Sequence, residues 1–199
     1  MANLPPDIDP ASRFRLPLPK AEEMDEDGRA AYARLTSPGG KMIRGLAGPG
    51  GIRLWSGKYA HMSDPGNRYL RFESGFTPHE REVAILITAR ECDSRFEWAA
   101  HEPEAKKEGV SQATIDAVKH RRPTAGLDPA DALIIEFGRE VFGARKVKPE
   151  TFKRLRDKYG PRKLVDLVSL MGNYAATAAL LCAFDMQLDD GETNLLPLP

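Results

Sequence analysis

The chain has 199 residues, of which 41% are hydrophobic and 29% charged, enough length and apolar content for a substantial buried core. Its 29 basic and 29 acidic residues cancel, so composition argues against both a nucleic-acid partner and a membrane surface as the binding target. Two cysteines ninety positions apart, Cys92 and Cys182, exclude a CxxC motif, a zinc framework and a secreted disulfide pattern, and they fit a reducing cytoplasmic compartment.

Residues 1–20 contain five prolines and no periodicity, which predicts an extended arm, disordered or laid along a neighbouring surface. The opening MANLPPDIDPASRF has acids and prolines where a leader needs basic residues and an apolar run. From residue 21 to 191 the pattern predicts a single all-helical domain, with 192–199 as a tail. A first helix is expected from Pro19 or Lys20 to Leu35, on the apolar points Met24, Ala31, Tyr32 and Leu35. Residues 37–67 are rich in glycine and proline yet contain Leu46, Ile52, Trp55 and Tyr59, which predicts a packed-down loop over a site or a subunit contact.

The next segment, TPHEREVAILITAREC at 77–92, has the clearest helix start in the chain. Thr77 caps, Pro78 suits the first helical position, and Glu80 completes a capping box. Val83 to Ala89 is apolar nearly all round, the signature of a helix buried on most sides. A turn at Asp93–Ser94 leads into a helix from Arg95 to Glu108, ended by Gly109. Ser111 caps a short helix over 112–120, and the basic run KHRR at 119–122 reads as its solvated end. Asp128 and Pro129 open a helix over 129–143. Helices at 149–159 and 161–184 follow, the latter again apolar round most of its circumference. No run alternates long enough to make a strand, and none approaches the roughly 18–20 apolar residues of a membrane span. The expected architecture is all-α with about seven helices. Two of them are too apolar to be covered by a chain this size, which predicts a homo-oligomer.

Within SRFEWAAH at 94–101, Glu97 and His101 stand four residues apart and so share one helix face. A carboxylate beside an imidazole raises its basicity and fixes its tautomer, a preparation for acid–base work near neutral pH. Two consecutive helices joined by a short turn pack as a hairpin, which brings Glu82 on the first towards that face. The alternative is structural: Ser94-x-x-Glu97 is itself a capping box, and a lone helical histidine is more often a hydrogen-bonded filler.

REVAILITAREC, FEWAAHEPEAKKEGVSQATIDAV and LVDLVSLMGNYAATAALLCAFDMQLDDG resemble the carboxymuconolactone decarboxylase family, in the superfamily of the alkylhydroperoxidase D proteins, and the resemblance covers residues 68–191. The resemblance implies an all-α alkylhydroperoxidase D-like fold around a helical hairpin, assembled as a homotrimer or homohexamer with sites near subunit contacts. The hydroperoxidase branch places a CxxC before the histidine; Ser94 and Glu97 occupy those positions here, and neither can form a disulfide or a peroxidatic thiolate. The resemblance therefore points to the decarboxylase branch and a cofactor-free lyase acting on a small carboxylated lactone or related acid. His101 is the expected acid–base group, Glu97 its orienting partner and Glu82 a second carboxylate. Arg44, Arg53, Arg71 and Arg95 are candidates to dock the substrate carboxylate, and Trp98, Trp55 and Tyr59 to line the pocket. No metal or organic cofactor is expected. Two other readings remain at this point: a non-catalytic oligomeric protein of the same scaffold, and a peroxidase-like enzyme using Cys92.

Overall fold

A computed structural model of the chain describes residues 4–37, 43–189, 191 and 196–197; parts of the expected tail at 192–199 and of the expected loop at 37–67 lie outside the described residues, while Leu196 of that tail is buried in the core. Every regular element among the described residues is helical and none is a strand. The chain forms two compact units, Met1–Asn67 with Ala179–Thr193, and Arg68–Ala178 with Asn194–Pro199.

In the first unit the proline-rich segment is ordered by local turns. The Asp9 carboxylate accepts hydrogen bonds from the Ala11 and Ser12 N–H groups at 3.0 and 2.8 Å, and Phe14 is fully buried. Backbone bonds from Arg15 to the Phe184 carbonyl and from Gln187 to the Arg13 carbonyl tie it to the end of the long C-terminal helix. A 3-10 turn at Ala21–Glu23 precedes α1 (Glu26–Thr36), whose cap Asp25 accepts from the Gly28 N–H at 2.6 Å. Met24, Ala31 and Leu54 form a small core with Leu35, Leu46 and Ala60.

The segment expected to be a loop contains two helices, α2 (Pro49–Arg53) and α3 (Gly57–Phe72), the second running on into the next unit. Pro65 sits inside α3 and forgoes one backbone bond, a local loss that the rest of the helix tolerates. Punctuating residues masked helix-forming sequence on either side of them.

The second unit is built round α4 (Pro78–Glu91), in which every residue from Glu82 to Arg90 is buried. Its capping box forms as expected: Thr77 accepts from the Glu80 N–H, and Glu80 accepts from the Thr77 N–H at 3.1 Å. Packed with it are α5 (Arg95–Lys107), α6 (Gln112–Lys119, capped by Ser111) and α7 (Pro129–Gly138, capped by Asp128). Helix α7 was expected to continue to 143; it instead passes at Arg139 into a π-type turn that ends at Ala144. Buried Glu140 in that turn accepts from the Lys148 N–H at 2.9 Å and the Thr151 hydroxyl at 3.0 Å, and so caps α8 (Pro149–Ala183). Helix α8 is broken at Gly160, whose φ of 72° and ψ of 167° only glycine adopts readily; Pro161 restarts it, giving the two expected helices.

One expectation is corrected here. Helix α8 contains an 18-residue window long and apolar enough to cross a membrane, although half of that window is buried within the protein, as in a core helix. Small residues such as Gly172, Ala175, Ala176 and Ala178 dilute large apolar side chains to the eye without interrupting the apolar run.

Helices α4 and α7 approach closely at Gly138, where an added Cβ would lie 2.7 Å from Ile87 Cγ1 and 2.8 Å from Ile87 Cγ2. These atoms branch directly from a stiff β-branched centre and cannot swing aside. Gly138→Ala should therefore destabilise the protein by about 1–3 kcal/mol in urea unfolding, and Ile87→Ala in the same chain should be less than additive with it. Full additivity would show that the two residues do not compete for space.

Candidate functional site

Glu82 on α4 and His101 and Glu97 on α5 converge in the second unit. All three are buried, at 1%, 4% and 4% exposure. The Glu82 Oε2 atom lies 2.8 Å from His101 Nδ1, a hydrogen bond across the α4–α5 pair. On the other side of the ring, Nε2 faces Glu97 Oε2 at 3.6 Å, an ion-pair distance rather than a tight hydrogen bond. The Tyr174 ring, from α8, meets the imidazole edge-to-face at 5.2 Å between centroids. The capping alternative for Glu97 does not form: Ser94 makes no side-chain cap bond, and its N–H donates to the Ala89 carbonyl at 2.8 Å.

Burial alone would raise the Glu82 carboxyl, but the hydrogen bond and charge of His101, followed by those of Arg81, outweigh it and hold the group below its ordinary value. Arg81 donates from Nε to Glu82 Oε1 at 3.0 Å, so each Glu82 oxygen has its own donor. An ionised carboxylate accepts only, which makes Nδ1 the protonated nitrogen of the ring and leaves Nε2 as the position that takes up or releases a proton. Glu97 stands where it would stabilise the imidazolium. Burial pushes the Tyr174 hydroxyl well up from its ordinary value, with Glu97 and Glu82 adding to this and Arg71 opposing it, so the phenol keeps its proton.

Of the other candidates, Arg71 lies in the same unit, at the end of α3, and its charge acts on Tyr174. Arg95 is exposed on α5. Trp98 is fully enclosed, with its indole N–H donating to Glu102 at 2.6 Å, so it serves as core rather than pocket wall. Arg44, Arg53, Trp55 and Tyr59 belong to the first unit: Arg44 pairs with Asp189, the Trp55 N–H donates to the Pro17 carbonyl, and Tyr59 is exposed. Cys92, half-buried, has its thiol pushed up by burial and then by Glu91 and Asp93. It lies ten residues along α4 from Glu82, about 15 Å at the rise of an α-helix. Among the described residues no group of three or more His, Cys, Asp or Glu side chains has the spacing to hold a metal ion.

Sequence reasoning overlooked Tyr174 and Arg81. The one signal for Tyr174 was a phenol in an otherwise apolar helix, since a buried hydroxyl normally seeks a partner. Arg81 adjoins Glu82 in the chain, a position from which helical side chains ordinarily diverge. A second buried cluster, in which Glu102 accepts from Trp98 and from Lys106 at 2.7 Å with the Lys119 ammonium 3.7 Å away, ties α5 to α6 and has a structural role.

Because folding lowers the Glu82 carboxyl, its stabilising contribution is complete above the unfolded value near 4.5 and is lost as pH falls through the lower folded value. Glu82→Gln should cost about 1–3 kcal/mol at neutral pH, since Arg81 and His101 then face a neutral amide. In urea unfolding followed into the acid range, the gap between wild type and variant should narrow as the wild-type carboxylate protonates. A gap that stays constant or widens would contradict an ionised Glu82.

No family model, curated protein or solved structure matches the chain.

Proposed function

We propose that the protein is a cofactor-free carboxy-lyase of the carboxymuconolactone decarboxylase type, acting on a small carboxylated lactone or related acid. The observation that carries this reading is an imidazole held between two buried carboxylates, with Nδ1 bonded to Glu82 and Nε2 left for chemistry beside Glu97. In decarboxylation the bond to the carboxylate carbon breaks, CO₂ leaves, and the electron pair stays on the former α-carbon until a proton arrives there. His101 delivers that proton from Nε2, and Glu97 and Glu82 stabilise the imidazolium that precedes delivery. A buried setting strengthens each of these interactions relative to water. Peroxide reduction is the weaker reading, because Cys92 is held as a thiol by burial and adjacent acids and has no partner cysteine near it in sequence. Cytoplasmic residence is proposed on the same ground as before, two free cysteines.

His101→Asn should lower CO₂ release from a carboxylated lactone by about 10²–10⁴-fold in a chain that still folds, although its melting temperature falls because the bond to buried Glu82 is disturbed. Glu97→Gln should depress kcat with Tm almost unchanged, and the double replacement of Cys92 and Cys182 by alanine should leave kcat intact. Unchanged turnover in His101→Asn, or peroxide turnover abolished by Cys92→Ser, would overturn the proposal.

We also propose a closed homo-oligomer, a trimer or hexamer. Helix α8 presents Val165 and Val168, 64% and 43% exposed, beside half-exposed Phe152, along a groove of about 350 Å³ that includes Pro161 and Leu164. A second copy would cover this apolar strip, and a stable contact needs about 800 Å² from each partner. Light scattering should report an oligomer at micromolar concentration, and Val165→Asp combined with Val168→Asp should shift it towards monomer. A wild-type monomer would refute the assembly.

A further inference from the structure

The charges of this chain cancel as a whole but are unevenly placed along it. Residues 22–27 hold five acids and no base, and residues 152–163 hold six bases and one acid. On the acidic side, in the first unit, Glu22, Glu23 and Glu26 are exposed at the start of α1, and none forms an ion pair among the described residues. Glu23 accepts from the Lys20 N–H at 2.8 Å. On the basic side, in the second unit, Lys153 and Arg156 share a single acid, Asp157, at 2.6 and 3.3 Å. Exposed Lys158 pairs with no acid among the described residues, while Arg154 and Arg162 are matched by Glu136 and Asp166. Positive charge is thus left over just before α8 breaks at Gly160. Arg156 itself lines the apolar groove of about 350 Å³ whose walls come from both arms of α8, with Phe152 on one side of the break and Leu164, Val165 and Val168 on the other.

We infer that the acidic start of α1 in one copy docks on the basic groove of α8 in the next, head to tail. This rests on the reading of the α8 strip as a contact between copies, and it names the part of the second copy that covers it. Charge selects this occupant. Were the strip to meet its own equivalent across a two-fold axis, the unbalanced bases of both copies would gather at one contact, a juxtaposition that opposes association. The start of α1 brings charge of the opposite sign. Helix α1 also leaves Tyr32 at the surface, 40% exposed and its one large apolar side chain in that position, to fill part of the groove. Burial of Tyr32, Val165 and Val168 supplies most of the affinity, because exposed ion pairs contribute little each; the acids and bases set direction and specificity. A contact between two unlike surfaces is satisfied in every copy only when it closes a ring, as in a trimer.

Charge reversal on either side tests the contact, with the mass of the full chain followed by light scattering and sedimentation at micromolar concentration. Glu22→Lys combined with Glu23→Lys and Glu26→Lys should weaken assembly by about tenfold or more, and so should Lys153→Glu combined with Arg156→Glu and Lys158→Glu. An equal mixture of the two triple variants should assemble again, since each then offers the other an opposite charge at both surfaces. All six positions are exposed, so both variants should melt close to wild type. Should a reversal fail to fold, glutamine at the same positions removes the charge and makes the same comparison with wild type. Raising salt to about 0.5 M should loosen the wild-type oligomer, where a purely apolar contact would not loosen. Assembly of either triple variant as tight as wild type, or a mixture that stays dissociated, would overturn the head-to-tail contact. A wild-type monomer would remove the assembly and this contact together. An oligomer that Val165→Asp with Val168→Asp dissociates, and that charge reversal leaves intact, would keep the assembly and remove this contact alone.

Discussion

A carboxylate in the middle of an apolar helix is tolerable only where charge and hydrogen bonds meet it, and the bond between Glu82 and His101 is the principal means by which this protein meets that need. Helix α4 is buried from Glu82 to Arg90, so the penalty for Glu82 falls at the start of the core itself. His101 and Arg81 each take one of its oxygens. The position of α5 against α4 is thereby specified by a polar pair, and generic apolar contact fills in around it. A sliding of α5 by one turn would break the pair, leaving one Glu82 oxygen without its donor and His101 Nδ1 without its acceptor, a larger loss than that of any single apolar contact nearby.

The same accounting of polar groups explains how the second unit closes. Arg139 donates to the carbonyls of Ala117 and Arg122 at 3.0 and 2.9 Å, and Arg121 donates to the Arg90 carbonyl at 3.2 Å, so long side chains add a second donor to the Ala117 and Arg90 carbonyls, near the ends of α6 and α4, which already accept from the Arg122 and Asp93 N–H groups. Glu80 closes the start of α4 and also accepts from the Tyr159 hydroxyl at 2.9 Å, while Tyr159 packs edge-on to Phe76. Its carboxyl stays below the ordinary value because the Thr77 backbone and the Tyr159 hydroxyl together outweigh the effect of burial.

Helix starts were legible because their chemistry is local: Thr77, Ser111 and Asp128 all cap where capping residues were read. The four-residue spacing of Glu97 and His101 was legible for the same reason, and the hairpin argument extended it to Glu82. What lay outside a sequence reading depends on distant parts of the chain. Tyr174 is more than seventy residues from His101, and only the packing of α8 brings its ring to the imidazole. Helix α3 was hidden by Gly66 and Pro65, whose intrinsic costs predict a break that neighbouring residues override. The end of α7 was misjudged because the passage into a π-type turn leaves the apolar pattern intact while changing the backbone beneath it. Glu97 as a cap was a fair local expectation that failed because the Ala89 carbonyl had already engaged the Ser94 N–H.

Glu140 belongs to the π-type turn by its backbone and to the first turn of α8 by its side chain. Local fluctuations at these two places are therefore not independent. Fraying the start of α8 strips the Glu140 carboxylate of its two donors, the Lys148 N–H and the Thr151 hydroxyl, and loosens the Lys148 ammonium 3.5 Å away, while unwinding the π-type turn withdraws the cap from α8. The natural consequence is that amides in the first turn of α8 and in residues 139–144 exchange with solvent through a shared opening, as one cooperative segment whose ends lie in different helices.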